Sequence, residues 1–275
     1  MSRGSAEEPG EKRDGRVNCW RLIKSPHIVS AEPGRDDTRP PLPFQIGWFD
    51  FSSLWPGAPV KAVLSQREAQ SVPAPLSEHR EDLARQLGLA LKNIATPHQV
   101  HGHRVEWARP GQLHGETDGL FTDVEQVVLT LQVADCAPIY FYHRPSRMRG
   151  LVHAGWRGVG AGVVTASTDF MQSQGVALDQ VEVIIGPAIE RSCYEVGPEV
   201  VEPFPPSVWR PHSAGKFQLD LVAAIREQLT GAGVLAGKVT SVDVCTRCDS
   251  RCHSYRRDGQ QAGRMIAYFY HQNSS

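Results

Sequence analysis

What this chain lacks narrows it first. It has almost no net charge: 29 Lys and Arg against 30 Asp and Glu leave −1 over 275 residues. No global field therefore favours nucleic acid or an anionic membrane surface. No apolar run approaches the roughly 20 residues that a membrane-spanning helix needs. Residues 1–16 are polar and charged and lack the apolar core of a secretion signal. A soluble cytoplasmic protein is expected, with neither nucleic acid nor membrane as a partner; the pattern says nothing about oligomeric state. There is no internal repeat, no clear interdomain linker and no short-spaced zinc motif of the usual paired kind. Without a secretion signal the six cysteines, Cys19, Cys136, Cys193, Cys245, Cys248 and Cys252, do not read as a disulfide framework. Reduced thiols are expected, at least one of them a ligand or nucleophile.

What is present suffices for one large domain, since 40% of the residues are hydrophobic. Residues 1–16 read as a disordered tail and 17–272 as a single domain. A second loose, proline-rich stretch covers 30–43. Apolar runs at 45–51, 60–64, 126–133, 138–142, 150–153, 181–185, 239–244 and 265–270 predict strands. Three helices are predicted. Ser77 would cap one that runs to Leu87 and stops at Gly88. A second spans 158–172, with Val159, Val163, Ala166 and Phe170 on one face. Asp220 would cap a third, over 221–229. Strands outnumber helices and interleave irregularly, which favours a mixed α/β or α+β domain over a regular βαβ repeat.

The chemistry concentrates in a few segments. Asp135-Cys136 closes one apolar strand, and His153-Ala154-Gly155-Trp156-Arg157-Gly158 closes the next. A thiol and an imidazole at neighbouring strand ends can converge on a metal ion or form a Cys–His catalytic pair. The turn His98-Gln99-Val100-His101-Gly102-His103 offers a third ligand, best from His101, where Gly102 allows a sharp turn. His101, Cys136 and His153 would then make a three-ligand zinc site with an open fourth position. Arg157 adds a guanidinium suited to phosphate, at the start of the predicted second helix. Arg256, Arg257 and Arg264 cluster in a late loop, as phosphate or carboxylate binding requires. Asp118 could orient a histidine ligand, or could be a turn residue. Cys245, Cys248 and Cys252 depart from paired CxxC spacing and read as thiols around a turn rather than a second zinc site. The candidate catalytic set is Cys136, His153 and Arg157; the candidate substrate and phosphate set is Arg157, Arg256, Arg264 and Asp118.

Taken in order, QVHG (99–102), TDG (117–119), ADC (134–136), HAGWRG (153–158), IGPAI (185–189), CYEVG (193–197), CT (245–246), SYRRD (254–258) and GR (263–264) resemble the YfiH-like family. That family is also called the laccase-domain or multicopper polyphenol oxidase-like family. The resemblance runs from about residue 95 to the C-terminus. It implies one domain of mixed sheets flanked by helices, similar to the catalytic domain of cytotoxic necrotizing factor toxins. It implies a metal, usually zinc, on His101, Cys136 and His153, with copper as the alternative. It implies a purine nucleoside phosphorylase acting on adenosine, inosine, guanosine and methylthioadenosine with phosphate, with adenosine deamination as a further activity. Copper-dependent polyphenol oxidation, a Cys–His hydrolase, editing of peptidoglycan precursors and non-enzymatic ligand binding are the alternatives. Two departures stand out: the family's Ser-Leu-Asn-Leu-Gly loop is absent ahead of Ser77, and Cys252-His253 replaces an aromatic pair. The first would remove part of the substrate rim.

Overall fold

Fourteen short strands form two large sheets and one small one in the computed structural model, which describes residues 47–68 and 75–272. The predicted tail at 1–16, the stretch at 30–43, Cys19 and the start of the first predicted strand lie outside the described residues. One sheet has five strands, in the order Trp48–Asp50, Val60–Ser65, Met265–His271, Val128–Val133 and Ile94–Ala95. The other has six: Val239–Ser241, Glu182–Ile185, Ala137–His143, Met148–Ala154, Gly119–Thr122 and Val105–Trp107. Both are mixed. Ile94–Ala95, Val105–Trp107 and Val239–Ser241 each pair in parallel with a neighbour, and the other pairings are antiparallel. A three-stranded sheet of 195–196, 217–219 and 209–211 lies apart.

The two-residue period of the strands sets the layers. Along Ala137–His143, Ile139 and Phe141 face one cluster while Tyr140 and Tyr142 face another. Tyr140 and Tyr142 share a cluster with Leu64, Leu129 and Phe269 of the five-stranded sheet and with Phe51 just after its first strand, so the two sheets bury a common face. Behind the six-stranded sheet, Ile139 and Phe141 share a cluster with Val163, Val164 and Met171 of the helix Val163–Ser173 and with Ile225 and Leu229 of Leu221–Ala232. Behind the five-stranded sheet, Ile266 and Tyr268 pack on Leu83 and Leu87 of Arg80–Leu87. The result is four layers, helix, sheet, sheet, helix, in one mixed α+β domain.

The predicted helices form with changes. Asp220 does cap Leu221–Ala232, accepting from Ala223 N at 2.9 Å. Ser77 is no cap: a 3-10 turn, Leu76–His79, precedes Arg80–Leu87, and Ser77 Oγ meets His98 Nδ1 at 3.3 Å. Gly88 ends that helix in the left-handed region, φ +64°. The helix predicted over 158–172 is two, Trp156–Gly160 and Val163–Ser173, broken at Gly162 with φ +90°. Among the described residues no helix is long and apolar enough to cross a membrane.

Candidate active site

Strand register alone brings three of the motifs to one end of the six-stranded sheet. Ala137 pairs with Ala154 and Pro138 with His153, so Cys136 falls opposite Gly155. Gly119 pairs with Val152, and the ladder continues as His153 N donates to Asp118 O at 2.7 Å. The turn carrying His101 leads into Val105–Trp107, which runs parallel to Gly119–Thr122 at the same end. His101, Cys136 and His153 thus present one nitrogen, one sulfur and one nitrogen within 4.8 Å of one another. The two imidazole rings stand edge to face, with centroids 4.7 Å apart.

Asp118 holds this arrangement together. It is fully buried. Its Oδ1 accepts from His153 Nδ1 at 2.8 Å and from His101 N at 3.0 Å. Its Oδ2 accepts from Gly102 N at 2.6 Å and Val100 N at 3.2 Å. One carboxylate therefore orients one imidazole and fixes the backbone that carries the other. Asp118 is not among the residues that line the cleft, and with four hydrogen bonds accepted its buried carboxylate fits the orienting role. The grip also holds His101 at φ +60°, a conformation uncommon for a residue with a β-carbon.

Asp135 plays the matching part beside Cys136. Its φ is +81°. Its Oδ1 accepts from Thr246 Oγ1 at 2.6 Å, and its Oδ2 from Arg256 N at 2.6 Å. The CT and SYRRD segments thus close on the residue before the thiol. Sequence reading missed both Asp135 and Thr246 as positioning residues. The signal available was that they lie in ADC (134–136) and CT (245–246), two of the segments that carry the resemblance; the contact itself spans 111 positions. Gln99 was missed likewise: its side-chain amide pairs with the backbone of Gln132, donating to the carbonyl and accepting from the N–H, both at 2.8 Å.

Glycines let these parts approach. A β-carbon at Gly155 would lie 2.8 Å from Cys136 Sγ and 3.2 Å from a His101 ring carbon. One at Gly158 would lie 2.7 Å from Gly102 O. The HAGWRG glycines are therefore needed for closeness, not for unusual dihedrals.

Charge at the centre follows from this packing. Desolvation would raise the Cys136 thiol, but the charge of His153 and hydrogen bonds from His101 and His153 outweigh it, bringing it down to about 6. Burial would lower His153; the Cys136 thiolate and Asp118 outweigh it and raise the imidazole to about 9. Burial opposes Asp118 too, yet the hydrogen bond and charge of His153 keep it below the ordinary carboxylate value. With no ion bound, the mutual shifts of Cys136 and His153 favour a thiolate beside an imidazolium. The same donors fit a metal. Two imidazoles and one thiolate suit zinc or copper, Asp118 on His153 Nδ1 leaves Nε2 for the ion, and Gly155 keeps the space clear.

The three donors lie in a cleft of about 680 Å³, also lined by Trp156, Arg157, Tyr194, Tyr255, Arg256 and Arg264. Arg157 is exposed and stacks over Trp156, 4.4 Å from the ring centroid. The helix it begins has five residues, so the helix-end potential expected there is short. Arg256 donates from Nη1 to Glu195 O and lies over the Tyr194 ring. Arg264 donates from Nη1 to Ala262 O at 2.8 Å. Arg257 faces away from the cleft. Its guanidinium ties the carbonyls of Thr246, Arg247, Asp249 and Cys252, which staples the late loop. Of the other histidines in the turn, His98 bonds Ser77 and His103 is exposed.

A family model described as multi-copper polyphenol oxidoreductase laccase matches residues 64–272. The chain belongs to this family. Among its relatives is the purine nucleoside phosphorylase YlmD of Geobacillus stearothermophilus, 35% identical over 214 residues, which cover 69% of this chain and 76% of that protein. The adenosine deaminase RL5, from an unknown prokaryotic organism, is 33% identical over 210 residues, covering 70% and 80%. A purine nucleoside phosphorylase of Deinococcus radiodurans is 35% identical over 201 residues, covering 71% and 77%. The crystal structure of the Geobacillus YlmD superposes with a TM-score of 0.75 at 30% identity, over 87% of this chain and 98% of that one. That of Bacillus licheniformis YfiH gives 0.68 at 26% identity, over 77% and 92%.

Proposed function

We propose that this chain is a zinc-dependent purine nucleoside phosphorylase, with adenosine deamination as a side activity. The observation that carries the reading is one cleft in which a His₂Cys donor set faces three arginines and two tyrosines. Relatives named for phosphorolysis and for deamination support the same substrate class. His101, Cys136 and His153 would hold the ion. When bound, zinc supplies a Lewis acid and a water acidified to a pKa near 7, the chemistry that deamination needs.

The chain's own residues do the rest. Arg157, Arg256 and Arg264 can bind phosphate oxygens through charge-assisted hydrogen bonds. The side chains of Arg256 and Arg264 are already anchored on backbone carbonyls, which limits the ordering needed on binding. Phosphorolysis develops positive charge at the anomeric carbon, so a phosphate held against its face lowers the barrier by proximity and electrostatics. Tyr255, exposed at the cleft, offers a ring face for a purine, while Tyr194 backs Arg256. Asp118, behind the cleft wall, and Asp135, at its edge, keep the donors in place.

Zinc-loaded protein incubated with inosine, adenosine and methylthioadenosine tests this. Release of free base should require phosphate and yield ribose-1-phosphate or its methylthio analogue in equal amount. Base release that ignores phosphate, or no turnover of any of the three, would refute it. Metal analysis of protein purified without added metal should find zinc, reduced by one equivalent in Cys136→Ala; copper as the ion lost in that variant would refute the zinc assignment.

A second reading is a Cys–His hydrolase, favoured by the order Asp118, His153, Cys136 along one line of hydrogen bonds. It requires a metal-free thiolate, so rapid alkylation of Cys136 in protein as purified would select it. Polyphenol oxidation fits less well. Among the described residues only two groups could hold a metal, and only one contains histidine, whereas coupled four-electron chemistry needs several copper sites.

A further inference from the structure

Three cysteines that the proposed reaction does not use come together behind the cleft. Cys193 closes the 3-10 turn Arg191–Cys193, and Cys245 and Cys248 lie on one tight turn. The backbone N–H groups of Cys248 and Asp249 both donate to Cys245 O, at 3.1 and 2.9 Å, which puts the two cysteines of that turn on one side. The Cys193 and Cys248 sulfurs are 3.2 Å apart, and all three sulfurs lie within 4.8 Å of one another. Cys252, which sequence spacing groups with them, is instead fully buried between the sheets. The missing partner is Cys193, far away in sequence.

From this geometry we propose a second metal site, in which Cys193, Cys245 and Cys248 hold one thiophilic d¹⁰ cation, zinc(II) or copper(I). Three thiolates from a CxxC turn and a facing loop are a donor set such ions select. Cys193 and Cys245 are buried, while Cys248 is exposed, so the ion has a route in and an open side toward solvent. Glu190 and Asp243 bring negative charge close to the cluster, while Arg191, beside Cys193, is paired with Asp220 at 3.7 Å. A cation there would neutralise repulsion among the thiolates that otherwise keeps them protonated. The two loops it would join carry Tyr194, which lines the cleft, and Thr246, which holds Asp135. The site would therefore be a structural clamp beneath the active site, independent of the ion on His101, Cys136 and His153.

Metal stoichiometry separates the two sites. Metal-stripped, fully reduced protein should bind two equivalents of zinc, and copper(I) added anaerobically should fill the three-thiolate site. Zinc and copper measured in protein as purified tell which ion it carries. Cys136→Ala and Cys248→Ser should each retain one equivalent. With cobalt(II) as the probe, thiolate charge-transfer absorption per bound ion should be about three-fold stronger in Cys136→Ala than in Cys248→Ser, because three thiolates replace one. Cys248 is exposed, so its substitution leaves packing intact; Cys193→Ser, at a buried position, is the second variant and should give the same loss. A wild-type stoichiometry of one with both ions, or a second equivalent that survives both serine variants, would overturn the proposal. So would a Cys193–Cys248 disulfide found by peptide mapping of protein purified without oxidant.

Discussion

Substituting Asp118→Asn changes one atom and should dismantle the metal centre. The carboxylate accepts four hydrogen bonds, two at each oxygen. An asparagine can keep only one of those oxygens. If its oxygen faces His153 and His101 N, its NH₂ points at the N–H groups of Gly102 and Val100, donor against donor. If it is turned over, the NH₂ donates to His153 Nδ1. That puts the imidazole proton on Nε2, the nitrogen a metal needs. Hydrogen bonds to a charged group contribute about 1.5–3 kcal/mol each, so losing two destabilises the folded chain by about 3–6 kcal/mol. Loss of the orienting partner should weaken zinc binding by about 10–100-fold. Competition against a chromophoric chelator reads the second effect, and urea unfolding of the metal-free chain reads the first. Zinc affinity within two-fold of the parent, in a variant that unfolds cooperatively, would refute the orienting role.

Gly155→Ala should abolish or strongly weaken zinc binding at His101, Cys136 and His153 while the chain still folds, since φ of −86° suits alanine and only the space beside Cys136 and His101 is taken; metal analysis of the folded variant should find one equivalent fewer than in the parent. Arg157→Ala should raise the phosphate requirement by roughly ten- to hundred-fold, because it removes one charge-assisted hydrogen bond to phosphate, with zinc content unchanged; phosphate titration of nucleoside turnover decides it. In metal-stripped protein, alkylation of Cys136 should rise through a midpoint near pH 6, well below that of an ordinary thiol. The sign for stability follows. Cys136, lowered in the fold, contributes above its unfolded value of 9.0, an effect lost as pH falls through about 6. His153, raised in the fold, contributes below 6.5, an effect lost as pH rises through about 9. The metal-free pair therefore exists between about pH 6 and 9, and Asp118→Asn should lower the upper edge, because Asp118 helps to raise His153; imidazole titration followed by NMR in the two metal-free proteins tests it.

How much of this was legible depended on the range of the interactions. The long apolar strands, such as Ala137–His143 and Met265–His271, stand out because both faces are buried and the run is unbroken. The cap at Asp220 is equally local. Strands of two or three residues, Ile94–Ala95 and Val105–Trp107, carry no pattern of their own and exist through their neighbours. Ser77 looked like a cap because its residue type allows it, but His98 takes its hydroxyl. At the site, the donor residues could be named from their chemistry and their motifs. Of the residues that aim them, Asp118 could be named as a possible orienting group, but Asp135 and Thr246 could not, because they act through contacts made by chain returns from far away. Arg257 shows the reverse error: a charge read as ligand-binding is consumed by carbonyls of its own loop.

Cys136 also lies on a seam. The chain leaves the five-stranded sheet at Val133 and enters the six-stranded sheet at Ala137, so the thiol sits in the short crossing between them. His101 and His153 belong to the six-stranded side. An ion bound by all three is a rivet through the joint where the sheets meet, and its loss should be felt as slack well beyond the cleft. Amide exchange along Val128–Val133 and its neighbour Met265–His271, strands that donate nothing to the ion, would then become a gauge of metal occupancy.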